Sequence, residues 1–315
     1  MLKIADAATT SRHLDYSRLV EALDRGFAQG CVVPVRHHHT IEKDNQPDAT
    51  LLLMPAWSKS SDEVRFLGVK LVTVFPGNMA KGLAGLTSTY VLYDGDTGLP
   101  LAMLDGNVIT ARRTVATSAL AARYLSRKDS RKLLVLGSGR VASLIPEAYR
   151  TVRPIAEVSV WDINPEGAAR MVTDLNNKGF LAFVENDLEA GVRNADIISA
   201  ATLATSPLIQ GAWLSAGTHV DLIGGFTPHM READSEVVLR ATVYVDTPES
   251  LHEAGDLRQP IASGLISPNH ICGTLAELAT AAIKGRSNPN QITLFKAVGS
   301  GLADLVAAKL VFDSL

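Results

Sequence analysis

Apolar positions along the chain fall into two textures that meet near residue 110. Between Asp15 and Gly30, Leu19, Val20, Leu23 and Phe27 recur at helical spacing, which predicts an amphipathic helix capped by Asp15 or Ser17. From Val32 to Leu104 the apolar runs become short and β-type, at residues 50–54, 65–74 and 88–93. Asp94-Gly95 and Thr97-Gly98 offer permissive backbone between two such runs, so this stretch reads as a hairpin turn. The first third is therefore expected to be a strand-rich, antiparallel sheet.

The second texture opens with residues 114–125, rich in Ala and Leu, which predict a helix. Strand-like and helix-like segments then alternate. Residues 132–136, 158–161, 182–184, 197–200, 219–223 and 243–245 read as strands, and 168–176 as a helix. The run 132–136 is apolar on both faces, as in a parallel strand covered on both sides. Strands separated by helices imply right-handed crossovers and one doubly wound sheet. The fold class expected is α/β, a Rossmann-type doubly wound parallel sheet plus a strand-rich α+β domain. The boundaries read as 1–118 for the first domain, with 300–315 returning to it, and 119–299 for the second.

Composition narrows the function classes. The chain has 315 residues, ample for two domains, and a net charge of −3, with no basic stripe for nucleic acid. No apolar run approaches the ~20 residues that span a bilayer. The start, Met1-Leu2-Lys3-Ile4-Ala5-Asp6, lacks a signal pattern, and Cys31 and Cys272 cannot make a disulfide framework. A cytoplasmic, reducing compartment is the expectation.

The sharpest motif is Gly137-Ser138-Gly139-Arg140-Val141-Ala142, which is G-x-G-x-x-A between a strand and a helix. Gly137 permits the tight turn, Gly139 lets the backbone approach a pyrophosphate, and Ala142 permits close helix packing. A helix N-terminus then offers N–H groups to the phosphates. The next strand ends at Asp162, 25 residues after Gly137, where an acid bonds the adenosine ribose. The other reading is an ordinary glycine turn beside an exposed aspartate. A carboxylate at this position repels a 2′-phosphate, so NAD(H) is favoured, with NADP(H) kept open by nearby Arg140.

A redox substrate carrying a carboxylate needs fixed cations, and Arg36, Lys70 and Arg113 are the candidates. Lys70 sits inside an apolar run, where it points either to water, the usual fate of a strand lysine, or into a cleft to grip an anion. His37-His38-His39 alternate faces if extended and have no Cys or carboxylate cluster beside them, so no metal site is expected. Neither a nucleophile elbow nor a Walker A motif is present.

Several segments together resemble the ornithine cyclodeaminase and mu-crystallin family over essentially the whole chain. They are Gly68-Val69-Lys70, Phe75-Pro76-Gly77-Asn78, the run from Asp105 through Asn107 and Arg112-Arg113 to Thr114, Gly137-Ser138-Gly139, the run from Gly217 to Gly225, and Phe295-Lys296-Ala297-Val298-Gly299. The resemblance implies a homodimer whose first domain supplies the dimer contact and much of the substrate pocket. It implies that Arg36, Lys70 and Arg113 hold a substrate carboxylate, that Val298 lines the pocket and that Thr87 is near the substrate. It also places Thr114, Gly137, Gly139, Arg140, Val141, Asp162, Thr202, Asp221, Leu222, Ile223, Gly224 and Arg231 against the dinucleotide.

One departure separates this chain from the cyclodeaminases, which carry an aspartate after the paired glycines to bind the distal amine. Here the run is Gly224-Gly225-Phe226-Thr227-Pro228, and Phe226 can neither bind an ammonium by charge nor act as a base. The run resembles members that reduce cyclic imines, Δ1-pyrroline-2-carboxylate to proline or Δ1-piperideine-2-carboxylate to pipecolate. Phe226 would then wall the ring methylenes, with Asp221, Thr87 or water as the proton source. The alternatives are ornithine cyclodeamination, an alanine or opine-type dehydrogenase, and a dinucleotide-bound binding protein of the mu-crystallin kind.

Overall fold

The computed structural model describes residues 1–315, the side chain of Met79 excepted. The chain forms two compact units, Met1–Arg113 with Ser300–Leu315, and Thr114–Gly299.

The first unit is built on a six-stranded sheet. Its strands are β1 (Lys3–Ala5), β2 (His37–Ile41), β3 (Ala49–Trp57), β4 (Phe66–Val74), β5 (Leu86–Asp94) and β6 (Pro100–Asp105). Their order is β1-β6-β5-β4-β3-β2. β2 through β6 pair antiparallel in sequence order, while β1 joins β6 in parallel. Helix Tyr16–Gln29 starts where Asp15 accepts the Arg18 N–H, and it buries Leu19, Val20, Leu23 and Phe27. It packs on the C-terminal helix Gly301–Phe312. Gly26 makes that approach close, since a β-carbon there would lie 2.4 Å from the Val306 side chain.

Alternation along β4 decides what the sheet faces. Phe66, Gly68, Lys70 and Val72 are buried toward the helices, and Leu71 turns the other way. Cross-strand register lines up Ile4, Met103, Val91 and Val69 on that other face, and beside them Leu71 and Leu53. Ile4 is 76% exposed, Met103 39% and Leu71 36%.

The second unit holds an eight-stranded, wholly parallel sheet. Its strands are β7 (Lys132–Leu136), β8 (Glu157–Trp161), β9 (Leu181–Val184), β10 (Ile197–Ala200), β11 (His219–Leu222), β12 (Thr242–Val245), β13 (Ile271–Thr274) and β14 (Thr293–Lys296). The order β13-β12-β14-β11-β10-β7-β8-β9 reverses direction between β7 and β10. That reversal opens a crevice at the carboxyl ends of these two strands, where doubly wound sheets bind ligands. The core is aliphatic, with Leu134, Leu136, Ile198, Val220, Leu222 and Leu294 fully buried.

Periodicity predicts six strands for this sheet, whereas it has eight. β13 and β14 escape because their short apolar runs are broken, one by Gly273 and the other by a buried lysine at its end. Helix Gly106–Leu125 also begins earlier than the Ala-rich run at 114. Asp105 accepts the Val108 N–H and so starts it among residues too polar to show a stripe. No described helix is long and apolar enough to cross a membrane.

Candidate active site

In the second unit the chain leaves β7 at Gly137 with φ 101°, and a β-carbon there would lie 2.9 Å from the Ala201 carbonyl oxygen. Only glycine fits that turn. Gly139 is exposed, and a β-carbon on it would meet nothing within 4 Å, so its backbone is open to a close-approaching group. Ala142 is fully buried under the turn. A single 3-10 turn, Ala142–Leu144, leads into the short helix Ile145–Arg150. Asp162, just beyond β8, accepts the Ser138 hydroxyl at 2.6 Å and the Asn164 N–H at 2.8 Å. The ribose-side acid is thus tied to the turn itself. Arg140 is exposed and Val141 half-buried on the same loop. These features fit a dinucleotide, with backbone N–H groups for the pyrophosphate and a carboxylate for the ribose hydroxyls.

Around the neighbouring strand ends, charged groups lie beneath the surface. Asp221 on β11 is fully buried and accepts hydroxyls from Ser118 at 2.9 Å, Tyr149 at 2.8 Å and Ser199 at 2.5 Å. Burial pushes its carboxyl up to about 6, against the pull of those three donors. Leu222 and Gly224 are buried with it, and Ile223 is 8% exposed. Arg231 spends its guanidinium on the Ala233 carbonyl, Gln259 and the Ser235 hydroxyl. Val298 is half-buried and gives its N–H to Asp246. Phe226 is 46% exposed.

The paired glycines have a cause that the sequence does not announce. Glu232 is fully buried and accepts the Gly224 N–H at 2.7 Å, the Gly225 N–H at 3.3 Å, and both the N–H and hydroxyl of Thr202. Asp256 in turn accepts the Glu232 and Ala233 N–H groups. Lys296 Nζ lies 3.2 Å from Asp256 Oδ2, both groups fully buried, in a charge contact without hydrogen-bond direction. A β-carbon on Gly224 would fall 2.4 Å from Glu232 Oε1, and one on Gly225 2.2 Å from Asp256 Oδ2. Burial drives Glu232 up to about 7, with Lys296 opposing and Asp256 adding to the rise. Sequence reasoning missed Glu232, Asp256 and this role of Lys296. The lysine inside an otherwise apolar Leu294–Val298 run is the signal that marks them.

The first unit holds a second buried cluster. Lys70 is 2% exposed and points to the helix side of the sheet, so the usual solvent-facing fate of a strand lysine does not apply. Its Nζ lies 2.7 Å from Asp304 Oδ2, and Arg113 Nε donates to Asp304 Oδ1 at 2.7 Å. Asp304 is fully buried on the helix Gly301–Phe312. Burial lowers Lys70 to about 8, Asp304 works against that fall, and Arg113 and half-buried Arg36 add to it. Asp304 itself is held below the ordinary aspartate range, because the Arg113 and Lys70 charges outweigh its burial. Three of the expected residues therefore gather here, together with an aspartate that sequence reasoning did not single out. Thr87 does not join them. It pairs across the sheet with Thr73, an odd number of positions from Lys70, so it lies on the opposite face with its hydroxyl bonded to Thr73.

A family model for the ornithine cyclodeaminase/mu-crystallin family matches residues 2–315. The chain belongs to that family. A Δ1-pyrroline-2-carboxylate reductase of Colwellia psychrerythraea is 37% identical over 320 residues, covering 100% of this chain and 99% of that protein. A solved Δ1-pyrroline-2-carboxylate reductase of Thermococcus litoralis, in complex with NADH and L-proline, superposes with a TM-score of 0.91 at 34% identity. It covers 99% of this chain and 97% of its own. An archaeal alanine dehydrogenase, a dimer with bound NAD, gives 0.90 at 27% identity, covering 99% of this chain and 95% of its own.

Proposed function

We propose that this family member reduces a cyclic imino acid with a nicotinamide dinucleotide. The substrates are Δ1-pyrroline-2-carboxylate, Δ1-piperideine-2-carboxylate or both, and the products L-proline and L-pipecolate. The observation that carries this reading is the convergence of Lys70 and Arg113 on one buried carboxylate, in a chain similar end to end to pyrroline-2-carboxylate reductases. Lys70 and Arg113, with Arg36 nearby, bind the substrate carboxylate and so fix where C2 sits; such positioning is a large share of the barrier in bimolecular chemistry. When bound, the nicotinamide would supply the hydride to C2, and the ring nitrogen takes a proton, so that hydride and proton together saturate the C=N bond. Phe226 carries no charge for a distal amine, in keeping with a cyclic imino acid substrate that has none.

The dinucleotide is NAD(H), held at Gly137, Gly139, Arg140, Val141, Asp162, Thr114 and Thr202, with NADPH use a matter for assay. Backbone at Asp221, Leu222, Ile223 and Gly224, and the Arg231 side chain, would support it from below rather than by exposed carboxylates. The enzyme works as a cytoplasmic homodimer. Support for the dimer is the apolar sheet face of Ile4, Met103, Val91, Val69 and Leu71, together with the dimeric alanine dehydrogenase.

The test is oxidation of NADH and of NADPH with each imine, beside pyruvate plus ammonium, and ammonia release from ornithine. Turnover of the imines with NADH is the expected result. Turnover only of pyruvate with ammonium would favour the alanine dehydrogenase reading, which the 27% identical structure keeps in play. Ammonia from ornithine at a matching rate would refute the weight placed on Phe226.

A further inference from the structure

Asp304 binds neither substrate nor dinucleotide in the proposed reaction, yet it is the most deeply enclosed member of the Lys70 cluster. Each of its oxygens takes a different cation: Oδ2 lies 2.7 Å from Lys70 Nζ, and Oδ1 accepts Arg113 Nε at 2.7 Å. Two cations held this close repel each other, and burial removes the water that would screen them. Without an anion between them, the lysine would shed its proton or the two side chains would part. Helix Gly301–Phe312 brings that anion back to the first sheet from the far end of the chain.

We infer that Asp304 is the positioning residue of the carboxylate clamp: it holds the Lys70 ammonium beside the Arg113 guanidinium so that both act as cations on one substrate carboxylate. The inference rests on the imine-reductase reading and deepens it. Asp304 does not touch the substrate and is not a catalytic residue. It offsets one of the two positive charges that Lys70 and Arg113 bring side by side.

The groups around Lys70 can be enumerated. Asp304 faces it from the C-terminal helix, Arg113 from helix Gly106–Leu125, Arg36 from the segment before β2, and Tyr90 is its cross-strand neighbour on β5. Tyr90 is fully buried, and its phenol, raised well above its ordinary value by burial, stays neutral. Asp304 is thus the one group among these that favours the charged form of Lys70, whose ordinary 10.5 has already fallen to about 8. The free enzyme should lose kcat/KM as pH rises through about 8, because the clamp loses a charge.

The experiment compares pH profiles of kcat/KM for Δ1-pyrroline-2-carboxylate in wild type, Asp304→Asn and Asp304→Glu. L-proline binding to the NAD⁺-loaded proteins is measured by calorimetry over the same pH range. In Asp304→Asn the alkaline limb is expected to move down by about one pH unit or more, the usual effect of removing an opposite charge. The loss should fall on KM and on L-proline affinity, with kcat within about threefold at acidic pH. Asp304→Glu keeps the charge, so its limb stays in place, while the displaced cations raise KM about tenfold. A limb that does not move in Asp304→Asn overturns the inference. If Asp304→Asn does not fold, an unchanged KM in Asp304→Glu overturns it instead. Failure of wild type to reduce the imine or bind L-proline would strike the proposed function itself, a result separate from either variant outcome.

Discussion

Gly137 and Gly139 stand two residues apart, and the structure separates their roles well enough to test the dinucleotide site without a ligand-bound form. At Gly137 the backbone holds φ 101°, and a methyl would press to 2.9 Å on the Ala201 carbonyl. Strain of that kind costs about 1–3 kcal/mol before any contact is counted. Gly137→Ala should therefore lower the stability of the apo protein by about 2 kcal/mol. Gly139 has no positive φ, and an added methyl meets nothing within 4 Å. Gly139→Ala removes unfolded-chain entropy, worth roughly 0.4–1 kcal/mol in favour of the fold, so apo stability should hold or rise slightly. With a pyrophosphate seated on that backbone, the same methyl becomes overpacking of about 1–3 kcal/mol. At about 1.4 kcal/mol per tenfold, NADH affinity should fall by a factor between about 5 and 150. Urea denaturation without ligand and NADH titration by fluorescence read the two effects apart. Unchanged NADH affinity in a stable Gly139→Ala protein would remove this turn from the binding site.

Three further outcomes are expected from the same geometry. Lys296→Met leaves Asp256 and Glu232 buried without their cation, and should cost about 3–5 kcal/mol in urea denaturation. Because Glu232 is raised from 4.5 to about 7, the fold prefers its protonated form, and this group makes stability fall as pH rises from about 4.5 to about 7. Losing Lys296 should carry that decline to higher pH, and a flat profile in the variant would refute the coupling. Asp162→Ser frees space and charge for a 2′-phosphate, so the kcat/KM ratio of NADPH to NADH should rise by about tenfold or more; an unchanged ratio would show that Asp162 does not face the ribose. Leu71→Asp, on a face where Leu71 is already 36% exposed, should keep the fold and yield monomers in sedimentation velocity. A dimer of wild-type affinity would place the interface elsewhere.

Local signals determined the elements whose causes are local. The helix Tyr16–Gln29 was legible because its stripe and its Asp15 cap lie within sixteen residues. Strands β7 and β10 have the very limits their apolar runs predict, 132–136 and 197–200. The glycine turn is legible because Gly137, Gly139, Ala142 and Asp162 answer to one strand–turn–helix–strand unit. Lys70 is visible in the sequence only as a lysine among apolar neighbours, a pattern that favours solvent over a cleft.

What decided between them was Asp304, 234 positions later in the chain, and only tertiary packing brings that carboxylate to 2.7 Å from the ammonium. Gly224-Gly225 is the same kind of case. As bare sequence it is a flexible pair, but folding surrounds it with Glu232, Asp256 and Lys296 and makes both glycines a steric necessity. Hydrophobic period and turn chemistry act over a few residues, so the sequence carries them openly. The balance of a buried charge depends on every group within a few ångströms of it, and that neighbourhood exists only once the chain has folded.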